Sequence, residues 1–179
     1  MTLKKTFVAM AAVLLLLLPA GATLATDTLN AVWVHGNVAE AEAPYNLQST
    51  AVRGWGIYFA GKENSFNWFH IPVATPVITE STRVRLDRFF VLFEIIGNAK
   101  ITDVHVWDGN NRIVYHTGLA LSGSHLNIDA YNTFPVSPQI SMLWGMDIVV
   151  GVQFGLKDSK GNYPTIHFST AGADFYRTY

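Results

Sequence analysis

Residues Ile101-Thr102-Asp103-Val104-His105-Val106-Trp107 put Val104 and Val106 on one side of an extended backbone and Asp103, His105 and Trp107 on the other. A period of two is the pattern of a strand with one buried face, and it conflicts with a helix, where residues two apart point in nearly opposite directions. Asp108-Gly109-Asn110-Asn111 follows as hairpin-turn chemistry, because Gly and Asn tolerate positive φ, and Arg112-Ile113-Val114-Tyr115-His116 supplies the return strand. Similar runs recur at Ala31 to His35, Trp55 to Ala60, Phe66 to Ile71, Arg83 to Ile96, Asp147 to Phe154 and Thr165 to Thr170. The longest passes from alternation at Val84 to Arg88 into continuous apolarity at Phe89-Phe90-Val91-Leu92-Phe93, as expected of a central strand covered on both faces. Clusters of Gly, Pro and Asn separate the runs, as at Pro72 to Pro76, Gly97-Asn98, Pro135 to Pro138 and Lys157 to Asn162.

Beyond residue 25 no stretch sustains the apolar spacing of an amphipathic helix for three turns. Roughly seven to ten short strands at this spacing predict an all-β domain, a single antiparallel β-sandwich of jelly-roll or immunoglobulin-like topology, with a closed β-barrel as the alternative.

The first 25 residues differ. Lys4 and Lys5 precede an uncharged apolar stretch, Phe7 to Leu18, that Pro19 ends, which is the pattern of a secretory signal peptide. Ala20-Gly21-Ala22 and Thr23-Leu24-Ala25 both offer small residues for a signal peptidase, so cleavage is expected after Ala22 or Ala25. The apolar stretch is shorter than the ~20 residues a membrane-spanning helix needs. The expectation is therefore a leader at 1–25 and one domain at 26–179, with no membrane span after cleavage. Its place is outside the cytoplasm: secreted, periplasmic or on the cell-envelope exterior.

The chain has no cysteine, which excludes disulfides, zinc ribbons and thiolate catalysis. An exported chain with neither cysteine nor an Asn-x-Ser/Thr glycosylation site suits a bacterial or archaeal envelope. Without Lys4 and Lys5 there are 10 basic and 13 acidic residues, a net charge of −3, so no nucleic-acid partner is expected.

Trp33-Val34-His35-Gly36-Asn37, Gly54-Trp55-Gly56, Trp68-Phe69-His70-Ile71-Pro72-Val73-Ala74-Thr75-Pro76 and Val104-His105-Val106-Trp107-Asp108-Gly109 occur in this order. From about Val32 to Phe175 the chain resembles an uncharacterised bacterial family of small secreted all-β proteins, a domain of unknown function. Where that family often has proline and tyrosine, this chain has Ala74 and Trp107. The resemblance implies a single β-rich domain and brings no activity, ligand or catalytic residue with it.

Asp103, His105 and Trp107 share an outward strand face that continues to Asp108 and Asn110 in the turn. An exposed indole beside carboxylate and amide groups is what a sugar-binding face needs, since the ring stacks on a pyranose while polar groups fix its hydroxyls. These five residues are the candidate ligand site; the competing reading packs Trp107 against a neighbouring strand. His35 and His70 form a metal site only if they meet across neighbouring strands, and their spacing matches no zinc motif. His70 also shares its face with Phe66 and Trp68, which favours a core histidine. No cofactor is expected. Asp108 to Asn111, Asn127 to Asp129 and Asp158 to Asn162 are rich in oxygen ligands but read as turns rather than calcium loops.

The preferred function is a non-catalytic exported sandwich that binds a glycan or another envelope or extracellular partner. One alternative is a small enzyme, metal-dependent through His35 and His70 or carboxylate-dependent through Glu94. Glu94 is the carboxylate set in the apolar run, unless Arg83, Arg85 or Arg88 pairs with it. No nucleophile elbow, triad order or phosphate-binding glycine loop supports an enzyme. The other alternative is a structural envelope or matrix component.

Overall fold

The structure is a computed structural model that describes residues 30–177. The leader expected at 1–25 lies outside the described residues. The described chain is built from strands joined by turns and two short 3-10 segments. The strands are β1 (Asn30–His35), β2 (Glu40–Ala41), β3 (Leu47–Arg53), β4 (Gly56–Gly61), β5 (Phe66–Val73), β6 (Ile78–Thr79) and β7 (Thr82–Ile96). They continue as β8 (Ala99–Asp108), β9 (Asn111–His116), β10 (Ser124–His125), β11 (Thr133–Ser141), β12 (Met146–Phe154) and β13 (Thr165–Arg177).

Every ladder is antiparallel, and the strands form two sheets, as the alternation predicts. In the first the order is β10-β7-β13-β4-β3, with β11 and β6 also on β7 and β1 also on β13. In the second it is β2-β5-β12-β8-β9. Among the described residues no ladder joins the two sheets, so the molecule is a sandwich rather than a closed barrel. The core lies between them. Phe69, Ile71, Val104, Val106, Ile148 and Val150 enter it from the second sheet; Phe89, Val91, Phe93, Phe168 and Phe175 enter from the first. Phe59, Phe69 and Phe168 meet there with ring centroids 4.6 and 5.5 Å apart, within the range of favourable edge and tilted contacts.

The apolar run in β7 is covered on both faces, as expected. Its inner residues face the second sheet, while on the outside Trp33 of β1 stacks on Phe90 at 4.9 Å. Two segments escape the sequence pattern. Leu47–Arg53 forms an edge strand with mostly exposed side chains, so little apolar alternation marks it. Pro135 to Pro138, expected to separate strands, lies inside β11, where the register with β7 shifts between Pro135 and Ile140. β11 pairs with β7 alone, and an edge strand with a bulge tolerates residues that lack an N–H.

Candidate functional site

The outer face of the second sheet carries the residues that the alternation singled out. In β8, Val104 and Val106 are buried in the core, which turns Asp103, His105 and Trp107 to the opposite face. Register then decides their neighbours. His105 stands between Val149 of β12 and Tyr115 of β9, and Trp107 between Asp147 and Arg112. Farther across, Val149 pairs with His70 of β5 and Gly151 with Trp68. These side chains surround a cleft of about 240 Å³. Val149 on the central strand forms its base, Trp68, His105 and Trp107 form its walls, and Glu42, His70 and Arg112 supply charge.

A glycine shapes this cleft. A Cβ on Gly151 would stand 2.7 Å from Cζ3 of Trp68 and 3.0 Å from Cζ of Phe66. With no side chain there, the Trp68 indole crosses β12 and reaches His105, ring centroids 4.9 Å apart and tilted by 35°. Phe66 holds the indole edge-on at 5.2 Å.

The pKa values of the two cleft histidines move in opposite directions. Burial, with the nearby Arg112 charge adding to it, lowers the pKa of His105. The residue is only 8% exposed, and its Nε2 has no hydrogen-bond partner in the protein. A neutral imidazole carries one donor and one acceptor, so this ring presents an unused polar atom, a state that buried groups seldom keep. For His70, burial also acts downward, but hydrogen bonds to Asp147 and Glu42 outweigh it and raise the pKa. Nδ1 lies 2.8 Å from Asp147 Oδ2 and Nε2 lies 3.2 Å from Glu42 Oε2. With a carboxylate at each nitrogen the favoured species is an imidazolium that donates from both.

Asp103 shares the outer face and acts electrostatically on His105, but it does not line the cleft. Asn110 is exposed in the turn, also outside it. Asp108 is turned away. It has the parity of Val104 and Val106, is 1% exposed, and its carboxylate accepts hydrogen bonds from the backbone N–H groups of Leu143, Trp144 and Gly145 at 2.7, 2.8 and 2.9 Å.

His35 and His70 do not meet, because β1 belongs to the first sheet and β5 to the second. His35 uses both nitrogens locally: Nε2 donates to the Gly54 carbonyl at 3.2 Å, and Nδ1 accepts from the Asn37 N–H at 3.3 Å. Nor is His70 a core residue; it faces outward between its carboxylates. Among the described residues no group of three or more His, Asp or Glu side chains could hold a metal ion. Glu94 lies on the outer face of the first sheet. Its neighbour is His167 at 3.8 Å across the β7–β13 ladder, not an arginine, and His167 in turn stacks on Tyr58 at 4.1 Å. In the oxygen-rich loops, Asp129 accepts from the Tyr131 N–H and pairs with His125, both at 2.7 Å, while Asp158 accepts from the N–H groups of Lys160 and Asn162.

Glu42 and Arg112 reach the cleft, and Asp147 reaches His70, only through register, which no pattern along one strand reveals. Phe66, Trp68 and His70 were visible as a face and read as core, but Phe69 and Ile71 make the opposite face apolar as well, and it is that face that turns inward.

Fold and cleft together define an antiparallel β-sandwich with an aromatic and polar cleft on the outer face of one sheet. The chain belongs to the family of unknown function DUF6623, whose profile matches residues 28–175. No curated protein matches it. Among solved structures it is similar to an exo-β-1,3-galactanase from Phanerochaete chrysosporium, solved with galactose, at 9% identity and a TM-score of 0.37. The match covers 80% of this chain and 29% of that one, so the chain spans less than a third of the galactanase. No helix among the described residues is long and apolar enough to cross a membrane.

Proposed function

We propose that the protein is an exported, non-catalytic sandwich that binds a glycan in the outer-face cleft of the second sheet. The observation that carries this reading is that two indoles, Trp68 and Trp107, line one cleft together with the exposed Glu42 and Arg112. An indole offers an apolar plane to the C–H face of a pyranose, and the Arg112 guanidinium and the Glu42 carboxylate offer hydrogen bonds to its hydroxyls. Glu42 and Asp147, the carboxylates nearest the cleft, both accept from His70, whose ring lies between them. Glycoside cleavage by paired carboxylates requires the sugar in that intervening space, and here a side chain fills it. The apolar stretch and basic start of residues 1–25 support export.

A glycan array probed with wild type, Trp107→Ala, Trp68→Ala and Trp55→Ala tests the reading. Trp55 is an exposed tryptophan next to β4 in the first sheet and serves as the control. The expected result is a shared set of retained glycans for wild type and Trp55→Ala, with loss of about tenfold or more in the two cleft variants. Equal retention by all four proteins, or by none, removes the proposal.

A further inference from the structure

The charges of the cleft are unevenly satisfied, and this bears on which sugars it takes. At the β2–β5 side, both ring nitrogens of His70 are already taken by Glu42 and Asp147. At the β9 side Arg112 differs. Among the described residues no carboxylate stands within 4 Å of it, whereas Arg88 pairs with Asp87 at 2.8 Å and Arg83 donates to the Met142 carbonyl at 2.9 Å. The Arg112 guanidinium lies 5.2 Å from the centroid of the Tyr115 ring. Such a contact restrains a long side chain and leaves its N–H edge available. Across the β8–β9 ladder Arg112 sits opposite Trp107, and it lies close enough to His105 to act on that ring electrostatically.

We infer that the cleft takes a glycan bearing a carboxylate, a uronic-acid sugar, whose acid group is received by Arg112 while its ring lies against Trp107. The inference rests on the glycan-binding reading of the same cleft. A guanidinium fork matches a planar carboxylate with two parallel N–H···O bonds, and charge assistance makes such bonds about twice as strong as neutral ones. The two ends of the cleft also differ in charge. Two carboxylates, Glu42 and Asp147, flank the single His70 ring, so that group is net negative and a uronate is oriented with its acid toward β9 and its hydroxyls toward Glu42.

The test compares polygalacturonate with its carboxyl-reduced form, and dextran sulfate with dextran, as immobilised probes. The proteins are the wild-type chain, Arg112→Gln and Arg112→Lys. Arg112 is exposed, so both variants are expected to melt with the wild type. Wild type should bind polygalacturonate at least about tenfold more tightly than the reduced polymer. Arg112→Gln should bind the two equally, and Arg112→Lys, which keeps the charge without the fork, should fall between. Equal wild-type binding of polygalacturonate and its reduced form overturns the uronate assignment and leaves the glycan reading standing. Binding confined to dextran sulfate overturns it in favour of sulfate esters. Failure of the wild type to bind these probes or any arrayed glycan overturns both readings.

Discussion

Replacing Asp108 by asparagine exchanges one carboxylate oxygen for an NH2 group with almost no change of volume, so its cost follows from the hydrogen bonds the charged group accepts. The carboxylate is 1% exposed and accepts three backbone N–H groups, Leu143 through Oδ2 at 2.7 Å and Trp144 and Gly145 through Oδ1 at 2.8 and 2.9 Å. In its better orientation the amide oxygen keeps the last two and turns its NH2 toward the Leu143 N–H, donor against donor. One hydrogen bond to a charged acceptor is lost, worth about 1.5–3 kcal/mol, and weakening of the other two adds about 1 kcal/mol. The total is about 2.5–4 kcal/mol, which for a domain of this size lowers the melting temperature by about 5–15 °C. Thermal and urea unfolding of both proteins measure it. The decisive contrast is with the role in ligand binding that the turn sequence suggested. An Asp108→Asn protein that melts within about 2 °C of wild type yet loses glycan retention would refute the account, because the carboxylate would then serve a ligand and not the loop.

Three further outcomes are expected. Gly151→Ala places a methyl 2.7 Å from the Trp68 ring, so the indole must leave His105; near-ultraviolet circular dichroism should change and stability fall by about 1–3 kcal/mol, and an unchanged aromatic spectrum counts against this packing. Gly36→Ala drives a methyl into the backbone carbonyl of Phe168, which cannot swing aside as a side chain can, and urea unfolding should show a loss of about 2–4 kcal/mol. His70, with its raised pKa, binds its proton more tightly when folded. Its contribution is full below the unfolded value of about 6.5 and is lost as pH rises through the raised value. The stability advantage of wild type over His70→Gln should therefore shrink as pH rises above about 6.5, and an advantage that grows refutes the assignment. His105, His116 and His167, whose burial lowers their pKa, act with the opposite sign and withdraw stability as pH falls below about 6.5.

The sheets were legible where one face is apolar and the other is not. Asp103, His105 and Trp107 against Val104 and Val106 could be placed from the sequence because the alternation is unambiguous. The same rule, carried one residue further, assigns Asp108 to the buried side; the turn chemistry of Gly109 and Asn110 hid that parity. In Phe66 to Ile71 both faces are apolar enough to be core, and only Gly151 on the neighbouring strand explains how Trp68 and Phe66 pack on an outer surface. β11 was obscured by prolines that an edge strand accepts. The charged members of the cleft come from β5, β9 and the chain just after β2, and their meeting is a property of pairing, which depends on all the strands at once.

β13 is the last strand of the domain, yet it lies inside the first sheet, bonded along one edge to β7 and along the other to β1 and β4. A chain delivered from its N-terminus therefore exposes three strands before the one they share has been made. Their ladder groups stay open until Thr165 and the residues after it emerge, so the sandwich closes late and as a unit. A fragment that stops before Thr165 is expected to aggregate through those edges rather than fold in part. If the chain is exported as proposed, the same late closure keeps the polypeptide threadable while it is being made, the condition that passage through a narrow secretion channel imposes.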